Sequence, residues 1–379
     1  MWLIAAIAGA ICVATRALPW HDAVATTERV GPILGFLVAI TVVAELADAA
    51  QVFDVAAVRA AKLGRGRTLG LFGLVLVLGT FTTIVLSLDT TAVLLTPVVL
   101  ALASRLRISP VPFAMAAVWL ANTASLLLPV SNLTNLLAVN RLHLSAASFA
   151  ARMWLPSLAS VIVTAAVLVV AYHRDLRGRY QIPVTLVVHD RVAFRASAAV
   201  CLLVAPFFFT GWPVWSIATA AAGVLVVLFA FREPSRLRFS LLPWKLVLLV
   251  QGLFLVVATL GVHGLDTLLG RAAGHSETAL GMLRTTGVGA AASNVANNLP
   301  SYLALERVAD SRQHQLLSLL LGTNLGPLIL VWGSLATLLW RERCKAAGVD
   351  ISVWHFGRVG IAGVPLLLLA SWASLTLTG

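Results

Sequence analysis

The feature that most limits what this chain can fold into is its series of long apolar runs, each separated from the next by a short polar segment. A helix that crosses a bilayer needs about 20 predominantly apolar residues, and the runs that approach this length are 2–18, 30–47, 110–139, 153–172, 194–210, 214–231, 241–262, 315–340 and 356–377. Of the 379 residues, 60% are hydrophobic and 11% charged, with a mean hydropathy of +0.95, which is outside the soluble globular range. We predict an all-α polytopic membrane protein with one transmembrane domain, residues 1–379.

Two further apolar stretches, 69–104 and 277–310, carry a polar tip in the middle, "SLDTT" in one and "ASNVANNLP" in the other. Each is interpreted as a re-entrant hairpin or a pair of spans, and both options return the chain to the side from which it came. The runs 110–139 and 315–340 are interrupted by polar residues and proline. The expected architecture is therefore about nine spanning helices, two re-entrant hairpins and two interrupted helices.

The basic residues set the expected orientation. When the loops are laid out alternately, most of the 27 Lys and Arg residues fall on one face, which the positive-inside rule identifies as cytoplasmic. The N-terminus is then cytoplasmic and the C-terminus external, in a bacterial cytoplasmic (inner) membrane. The net charge of +12 is explained by these loops, so a nucleic-acid partner is not expected.

The chain also matches itself, which in a transporter usually indicates inverted repeats around a central site. The first half is residues 1–172, the second half is residues 194–379, and a basic cytoplasmic linker, 173–193, joins them. Setting Asn122 against Asn324 aligns Leu133, Leu136 and Leu137 with Leu335, Leu338 and Leu339. The run 194–210 has no partner in the first half, so either one peripheral helix is absent or an upstream helix is missing from the given start.

Hydrogen-bonding residues are concentrated at four points, two in each half. Backbone that is not helical at bilayer depth must be buried in protein or line a cavity, because lipid offers no hydrogen bonds. Paired hairpin tips and helix breaks should converge near the midplane and form the substrate site. For any one of these residues, simple interhelical hydrogen bonding is the alternative. The clusters are Ser87, Asp89, Thr90 and Thr91; Asn122, Thr123, Ser125, Ser131, Asn132 and Asn135; Ser293, Asn294, Asn297 and Asn298; and Thr323, Asn324, Ser334 and Thr337.

Asp89 differs from the other residues of the clusters because it is an acid at a hairpin tip with no basic residue nearby in sequence. A carboxylate at that depth is costly unless it is hydrated or paired, and intramembrane acids are functional candidates by default. We predict that Asp89 couples transport to protons. The alternative is an ionised cap on the helix that begins near Thr90. Glu45 and Asp48, at the cytoplasmic end of their span, are weaker candidates.

No catalytic or cofactor motif accompanies these clusters. Cys12, Cys201 and Cys344 share no spacing for a metal or a disulfide. HExxH, GxSxG and paired catalytic aspartates do not occur, so an intramembrane enzyme is disfavoured and a secondary transporter is favoured. No cofactor and no metal are expected.

At the same clusters the sequence resembles a known family. The segments "LDTTAVLLTPVVLAL", "ANTASLLLPVSNLTNLL", "SNVANNLPSYLAL" and "LGTNLGPLILVWGSLATLLW" are similar to the signature segments of bacterial arsenite/antimonite efflux permeases. That family lies within the ion transporter superfamily, which includes dicarboxylate and sodium/proton carriers. The resemblance runs from about residue 69 to the C-terminus and weakens between 172 and 241.

The resemblance implies efflux of trivalent arsenic or antimony hydroxide in exchange for protons, through an elevator-type movement. The implied partners are arsenite or antimonite, protons, the lipid bilayer, a soluble arsenite-stimulated ATPase and a second copy of the chain in a homodimer. Proton coupling is assigned to Asp89. Together with Asn122 from the polar clusters, the expected substrate-binding residues are Thr90, Asn132, Asn135, Asn297, Asn298, Asn324 and Ser334.

The chain departs from the permeases at two positions. They typically carry an acid in the segments matching "ANTAS" and "GTNLGP", where this chain has Asn122 and Asn324. Arsenous acid is neutral near pH 7 and suits amides and hydroxyls, whereas a dicarboxylate would recruit Arg or a helix N-terminus. The open alternatives are a carrier of another small, dicarboxylate-like anion and a sodium/proton antiporter.

Overall fold

Helices form almost all of the protein in the computed structural model, which describes residues 2–182, 187–274, 276, 278–309 and 312–378. Residues 1, 277, 310 and 379, at which the predicted domain and the second predicted hairpin begin or end, lie outside the described residues, and so does part of the linker, 183–186. The helices of the first half are α1 (Trp2–Ala14), α2 (Trp20–Ala49), α3 (Val52–Leu63), α4 (Thr68–Leu86), α5 (Leu88–Thr90), α6 (Thr96–Arg105), α7 (Val111–Thr123), α8 (Leu133–Leu142) and α9 (Ala146–Ala171).

The rest of the chain has a similar series. Its helices are α10 (Arg191–Phe207), α11 (Val214–Arg232), α12 (Trp244–Leu260), α13 (Asp266–Ala273), α14 (Ala279–Ala296), α15 (Asn298–Glu306), α16 (Gln313–Leu325), α17 (Leu335–Ala346) and α18 (Val353–Thr378). Short π-helical segments, Thr91–Leu95 and Gly261–Leu265, continue α5 and α12. The described residues contain no strand beyond one isolated bridge between Arg67 and Arg179, so the all-α prediction is confirmed.

Seven helical segments of the described chain are long and apolar enough to cross a membrane, and α1 and Val111–Leu126 are shorter apolar helices. The seven are Trp20–Ala49, Thr68–Leu86, Leu88–Arg105, Ala146–Ala171, Val214–Arg232, Trp244–Leu265 and Val353–Leu377. The predicted run 194–210 corresponds to α10, which has only 17 residues and carries Arg191 and Arg195 near its start. The polytopic membrane class is confirmed, and the count of nine spans stays a prediction.

The helices pack in two groups. A peripheral bundle consists of α1, α2, α10, α11 and α12; within it α1 packs on α12 and α2 packs on α11. A central bundle consists of α4 to α9 and α14 to α18; its principal pairs are α4 with α7, α14 with α16, and α9 with α18. Each of these two pairs joins a helix from residues 1–172 to a helix from residues 194–379.

The hairpin tips are sharp breaks at equivalent places. Ser87, between α4 and α5, has φ 133°, and Asn297, between α14 and α15, has φ 82°. Positive φ values are uncommon for residues other than glycine and persist where the surrounding structure determines them. Each tip therefore ends one helix and starts another without a connecting loop.

The two interrupted helices also match. Between α7 and α8 lie the 3₁₀ turns Ala124–Leu126 and Pro129–Ser131, and between α16 and α17 lies the turn Gly326–Leu328. Pro129 and Pro327 lack the backbone N–H that a continuous helix would use. The chain thus leaves the helix twice, and both breaks are largely buried in the central bundle, although Trp332 in the second break is 46% exposed.

Candidate substrate site

Each interrupted helix restarts at a capping residue. Asn132 Oδ1 accepts a hydrogen bond from the backbone N–H of Thr134 at 3.2 Å, and Ser334 Oγ accepts one from the backbone N–H of Thr337 at 3.1 Å. Both residues occupy the N-cap position, where an unpaired helix donor needs an acceptor. The self-alignment that sets Asn122 against Asn324 also sets Asn132 against Ser334, so the structure gives these two residues the same local role.

The centre of the site is a group of buried amides that joins the two halves. Asn324 Oδ1 accepts hydrogen bonds from Asn132 Nδ2 at 3.1 Å and from Thr134 Oγ1 at 2.9 Å. Asn324 Nδ2 donates to Asn135 Oδ1 at 3.1 Å. All four side chains are at most 4% exposed. We call Asn132, Thr134, Asn135 and Asn324 the asparagine cluster.

The cluster is anchored to the broken backbone of the first half. Asn135 Nδ2 donates to the carbonyl oxygens of Ser125 at 2.6 Å and Leu128 at 3.0 Å. Both carbonyls lie in the interruption between α7 and α8, where no regular helix partner is available. Asn135 therefore links the break to the second half through Asn324.

Asn122 and Asn324 differ in their contacts although they align in sequence. Asn122 Nδ2 donates to the carbonyl of Val118 in its own helix at 2.9 Å. Its Oδ1 is buried and has no hydrogen-bond partner in the described part of the protein. The structure thus does not bring Asn122 into the asparagine cluster.

The tip of the first hairpin is held by hydroxyl groups. Ser87 Oγ accepts from the backbone N–H of Thr90 at 3.3 Å and lies 3.1 Å from Thr90 Oγ1. Thr91 Oγ1 donates to the Ser87 carbonyl at 3.2 Å. Ser131 Oγ, from the adjacent interruption, donates to the carbonyl of Ile84 at 2.9 Å. The first hairpin is thus bonded to the break of its own half.

Asp89 lies in this tip without being its cap. Its side chain is partly exposed and forms no hydrogen bond or ion pair with a described residue. The capping acceptor is Ser87, so the alternative role considered for Asp89 is performed by its neighbour. Helix α5 packs against α7 and α17, which places Asp89 where the first hairpin meets an interrupted helix of the second half.

The second hairpin tip is bonded to the break of its own half through amides. Asn297 Nδ2 donates to the Trp332 carbonyl at 2.9 Å, and the backbone N–H of Asn298 donates to the Gly333 carbonyl at 2.8 Å. Asn294 Nδ2 donates to the Gly326 carbonyl at 2.8 Å. Since Gly333 precedes Ser334, these bonds bring Asn297 and Asn298 beside the cap of α17.

Two groups that matter here were not among the site residues expected from the sequence. Thr134 belongs to the asparagine cluster; its position two residues after Asn132 could have identified it. Glu306, at the end of α15, is 1% exposed and forms an ion pair with Arg29 of α2 at 2.6 Å. In a sequence, an acid at the end of an apolar helix is expected to be solvated, so the burial of Glu306 could not be predicted from the sequence alone.

A cavity of about 600 Å³ opens beside the break of the first half. It is bordered by Pro129 and Leu136 from the break, Phe36 from α2, and Phe208 and Trp212 near the end of α10. Its walls are apolar except for Asn140, His143 and Ser145.

Two hairpins with sharp tips and two interrupted helices with buried polar groups at their breaks are typical of membrane transporters. The model of the family described as "Citrate transporter" matches residues 1–337. The chain belongs to this family of membrane transporters.

Individual relatives carry a different substrate in their names. The "Arsenical pump membrane protein" of Yersinia enterocolitica is 30% identical over 365 residues, covering 90% of this chain and 85% of that protein. Its namesake in Escherichia coli K12 is 29% identical over 372 residues, with the same coverage. Their family was already indicated by the signature segments in the sequence, and this recognition is confirmed.

A solved structure shares the fold. The crystal structure of the Alcanivorax borkumensis YdaH transporter, described as having an unusual topology, superposes with a TM-score of 0.56 at 16% identity. The match covers 93% of this chain and 87% of that one. At this identity the similarity concerns architecture alone.

Proposed function

We propose that the protein exports trivalent arsenic or antimony, as the neutral hydroxide, across the bacterial cytoplasmic membrane in exchange for protons. The observation that carries the proposal is the asparagine cluster: amides and a hydroxyl, without a charged side chain, buried where the two halves meet. The names of the 30% and 29% identical relatives support the same substrate.

The chemistry of the cluster suits such a substrate. Each hydroxyl of arsenous acid donates and accepts hydrogen bonds, and each asparagine offers an amide N–H₂ donor and a carbonyl acceptor. In the observed state these groups satisfy one another. A bound hydroxide would replace the bonds that Asn324 makes to Asn132 and Asn135, an exchange of bonds worth about 1 kcal/mol each, which favours reversible binding.

The remaining predicted site residues surround this centre. Thr90 of the first hairpin and Asn297, Asn298 and Ser334 of the second half supply further amide, hydroxyl and backbone groups at the neighbouring breaks. Asn122 contributes its unpaired Oδ1. We assign these residues to substrate binding in states in which the hairpins have moved toward the cluster.

A carboxylate substrate is the second candidate, because the family is described by citrate. Carboxylate sites use Arg side chains or free helix N-termini. Among the described residues, no Arg, Lys or His side chain is fully buried. At the N-termini of α5, α8 and α17, one backbone N–H already donates a hydrogen bond to the side chain of the capping residue. These capping residues are Ser87, Asn132 and Ser334. These observations favour the neutral hydroxide.

Sodium/proton antiport would use the carbonyls and hydroxyls of the same breaks. Two of those carbonyls, Ser125 and Leu128, already accept hydrogen bonds from Asn135. A sodium ion would have to displace this amide, so the antiporter ranks below both other candidates.

The packing supports an elevator-type movement as the mechanism. The asparagine cluster and both hairpin tips belong to the central bundle, and α2, α10, α11 and α12 of the peripheral bundle contribute none of these groups. We propose that the central bundle slides against the peripheral bundle and carries the substrate. Asp89, at a tip and without a fixed partner, takes up and releases the exchanged proton.

Further features stay predictions from the sequence. They are the cytoplasmic N-terminus, the external C-terminus, the soluble arsenite-stimulated ATPase and the homodimer. The division into an inverted first half, second half and basic linker is likewise our proposal; the matched order of breaks supports it.

The deciding experiment measures arsenite accumulation in inverted membrane vesicles from cells that lack their own arsenite pump. Vesicles with the protein and vesicles from untransformed cells are compared with an imposed inward-acid gradient, with a sodium gradient and without a gradient. Parallel samples receive citrate in place of arsenite, and immunoblotting confirms equal amounts of protein.

Each outcome selects one candidate. Arsenite accumulation that requires the acid gradient and the protein supports the proposal. Citrate accumulation without arsenite accumulation would replace it by a carboxylate carrier. A sodium gradient that changes the internal pH of the vesicles, followed with a pH-sensitive dye, without accumulation of arsenite or citrate would identify an antiporter.

A further inference from the structure

A buried ion pair joins the two bundles at a point that the proposed substrate site does not use. Arg29 Nη2 of α2 lies 2.6 Å from Glu306 Oε1 at the end of α15. The Glu306 side chain is 2% exposed and the Arg29 side chain 32% exposed. Helix α2 belongs to the peripheral bundle, whereas α15 is part of the second hairpin in the central bundle. The pair is thus a charged contact across the boundary between the bundles.

The bonding of the carboxylate is incomplete. Glu306 Oε2 is buried and has no hydrogen-bond partner among the described residues, and the same holds for the hydroxyl of Tyr302. Tyr302 precedes Glu306 by four residues on α15, so both side chains lie on one face of the helix. A buried acceptor without a donor, such as Glu306 Oε2, is energetically unfavourable and is rare in folded proteins.

The charges around Glu306 are positive. Besides Arg29, the positive charges that interact electrostatically with the carboxylate are those of Arg141 of α8 and of Arg307, the next residue along the chain. Arg307 packs over Gly261, beside the end of α12. The other titratable side chains described on elements that pack against α15 are Lys245 and His263 with α12, Arg271 on α13, Arg284 on α14, and His314 on α16.

We propose that Glu306 is a second proton-carrying residue: its ion pair with Arg29 holds the central bundle in the observed position, and its protonation stabilises the displaced position, in which the pair is broken. This inference rests on the proposed exchange of substrate for protons. A movement of the second hairpin along α2 separates the carboxylate from Arg29. A carboxylate that leaves Arg29 and stays buried is strongly disfavoured, so Glu306 binds one proton once the pair is broken.

The proton balance of the step is simple. In the displaced position the carboxylate gains one proton from the solution on the side that this position faces and becomes a neutral carboxylic acid, while Arg29 keeps its charge. When the bundles return, the acid gives up that proton on the opposite side and pairs with Arg29 again. If the contact between Arg29 and Glu306 only held the bundles together, apolar side chains would serve as well. A buried ion pair contributes little net stability compared with apolar packing.

The transport test uses Glu306→Gln, the double variant Arg29→Gln/Glu306→Gln, and Glu233→Gln as the matched control. Glu233 forms an exposed ion pair with Arg236 at 3.1 Å, within one surface turn. Gradient-driven arsenite accumulation is compared with arsenite counterflow, which needs no net proton movement. We expect Glu306→Gln to lower gradient-driven accumulation about tenfold while counterflow stays within about twofold of wild type. The double variant should behave in the same way and Glu233→Gln like wild type.

A second readout does not depend on arsenite transport. Hydrogen exchange of α2 and α15 is measured in the purified protein at acid and at mildly alkaline pH, corrected for the intrinsic pH dependence of exchange. In wild type, exchange at the contact should be faster in acid, because the pair opens. In Glu306→Gln it should be fast at both pH values.

The results separate this inference from the function on which it rests. If wild type does not accumulate arsenite, the proposed function fails, and hydrogen exchange alone decides the role of Glu306. A Glu306→Gln protein that keeps gradient-driven accumulation, or that keeps the wild-type response of exchange to pH, overturns the inference. Loss of both transport modes in Glu306→Gln, restored by the double variant, would make the pair a structural latch without a proton.

Discussion

Asn324 and Asn132, on interrupted helices of opposite halves, are joined by a hydrogen bond of 3.1 Å in which Asn324 Oδ1 is the acceptor. The same side chain donates through Nδ2 to Asn135 Oδ1. Position 324 therefore requires a group that accepts on one side and donates on the other. An ionised aspartate accepts only, so it would present a second acceptor to Asn135. The amide at this position is chemically matched to its neighbours.

The variant Asn324→Asp should make transport depend on pH in a way that wild type does not. When the new carboxyl is protonated it can donate to Asn135 and accept from Asn132, whereas the ionised form cannot donate. We expect near wild-type counterflow of arsenite in acid and a loss of about tenfold or more at alkaline pH, equivalent to about 1.4 kcal/mol. Counterflow in proteoliposomes, measured with equal internal and external pH, provides the test.

The aligned residue of the first half supplies the comparison. Asn324→Ala removes the partner of three buried atoms, Asn132 Nδ2, Thr134 Oγ1 and Asn135 Oδ1, and should lower the free energy of unfolding by about 1–3 kcal/mol. Asn122→Ala removes only a bond within its own helix, so its cost should be smaller. Equal effects of the two substitutions on thermal unfolding would contradict the asymmetry described here.

Asp89→Asn should abolish accumulation driven by an acid gradient and leave folded protein in the membrane. Asp89 forms no hydrogen bond or ion pair with a described residue, so the amide removes a titratable proton site without removing a contact. Accumulation and the amount of monodisperse protein after detergent extraction are measured together. Asp350→Asn, at an exposed site without a hydrogen bond or ion pair to a described residue, is the matched control. Unchanged gradient-driven transport in Asp89→Asn would remove Asp89 from the mechanism.

Much of the fold could be predicted from the sequence because bilayer depth imposes strict rules on backbone hydrogen bonds. Hydropathy predicted the membrane class and most of the long apolar helices, and polar residues with proline coincide with the four helix breaks. The alignment of Asn122 with Asn324 also sets Asn132 against Ser334, and each of these two residues starts a helix and caps it through its side-chain oxygen.

The bonding of the site could not be predicted from the same pattern. Asn122 and Asn324 look alike in sequence, yet one bonds within its helix and the other crosses to the opposite half, because that choice depends on how the halves pack. The burial of Glu306 depends in the same way on a contact with Arg29, 277 residues away. Sequence periodicity carries no information about such tertiary pairs.

Gly322→Ala should destabilise the central bundle, because α14 and α16 approach each other at this residue. A Cβ at position 322 would meet the carbonyl oxygen of Thr286 and lie 2.9 Å from the backbone nitrogen of Ala290. Neither backbone atom can rotate away, so we expect a loss of about 1–3 kcal/mol. Gly287→Ala, on the exposed side of α14 with no atom within 4 Å of its new Cβ, is the control. Thermal unfolding in detergent should fall for Gly322→Ala and stay unchanged or rise for Gly287→Ala.

The start of α10, which follows the linker between the two halves, should become less stable in acid because of Asp190. Asp190 lies just before α10. Asp190 Oδ1 caps α10 by accepting from the backbone N–H groups of Val192 and Ala193, and Arg232 of α11 donates to both carboxylate oxygens, at 2.8 and 3.0 Å. The hydrogen bonds from Arg232, followed by those from the backbone, lower the pKa of Asp190 to about 2. Its ordinary value is about 3.9.

The sign of the pH dependence follows from this lowered pKa. The contact stabilises the start of α10 fully above about pH 4, and the stabilisation is lost as the pH falls toward 2. Asp190→Asn keeps a capping acceptor but removes the charge, so amide exchange at the start of α10 should exceed that of wild type at neutral pH. The difference should vanish near pH 2. Asp175→Asn, an exposed site without an ion pair to a described residue, should match wild type throughout, and a difference between wild type and Asp190→Asn that persists at the acid end would contradict the assignment.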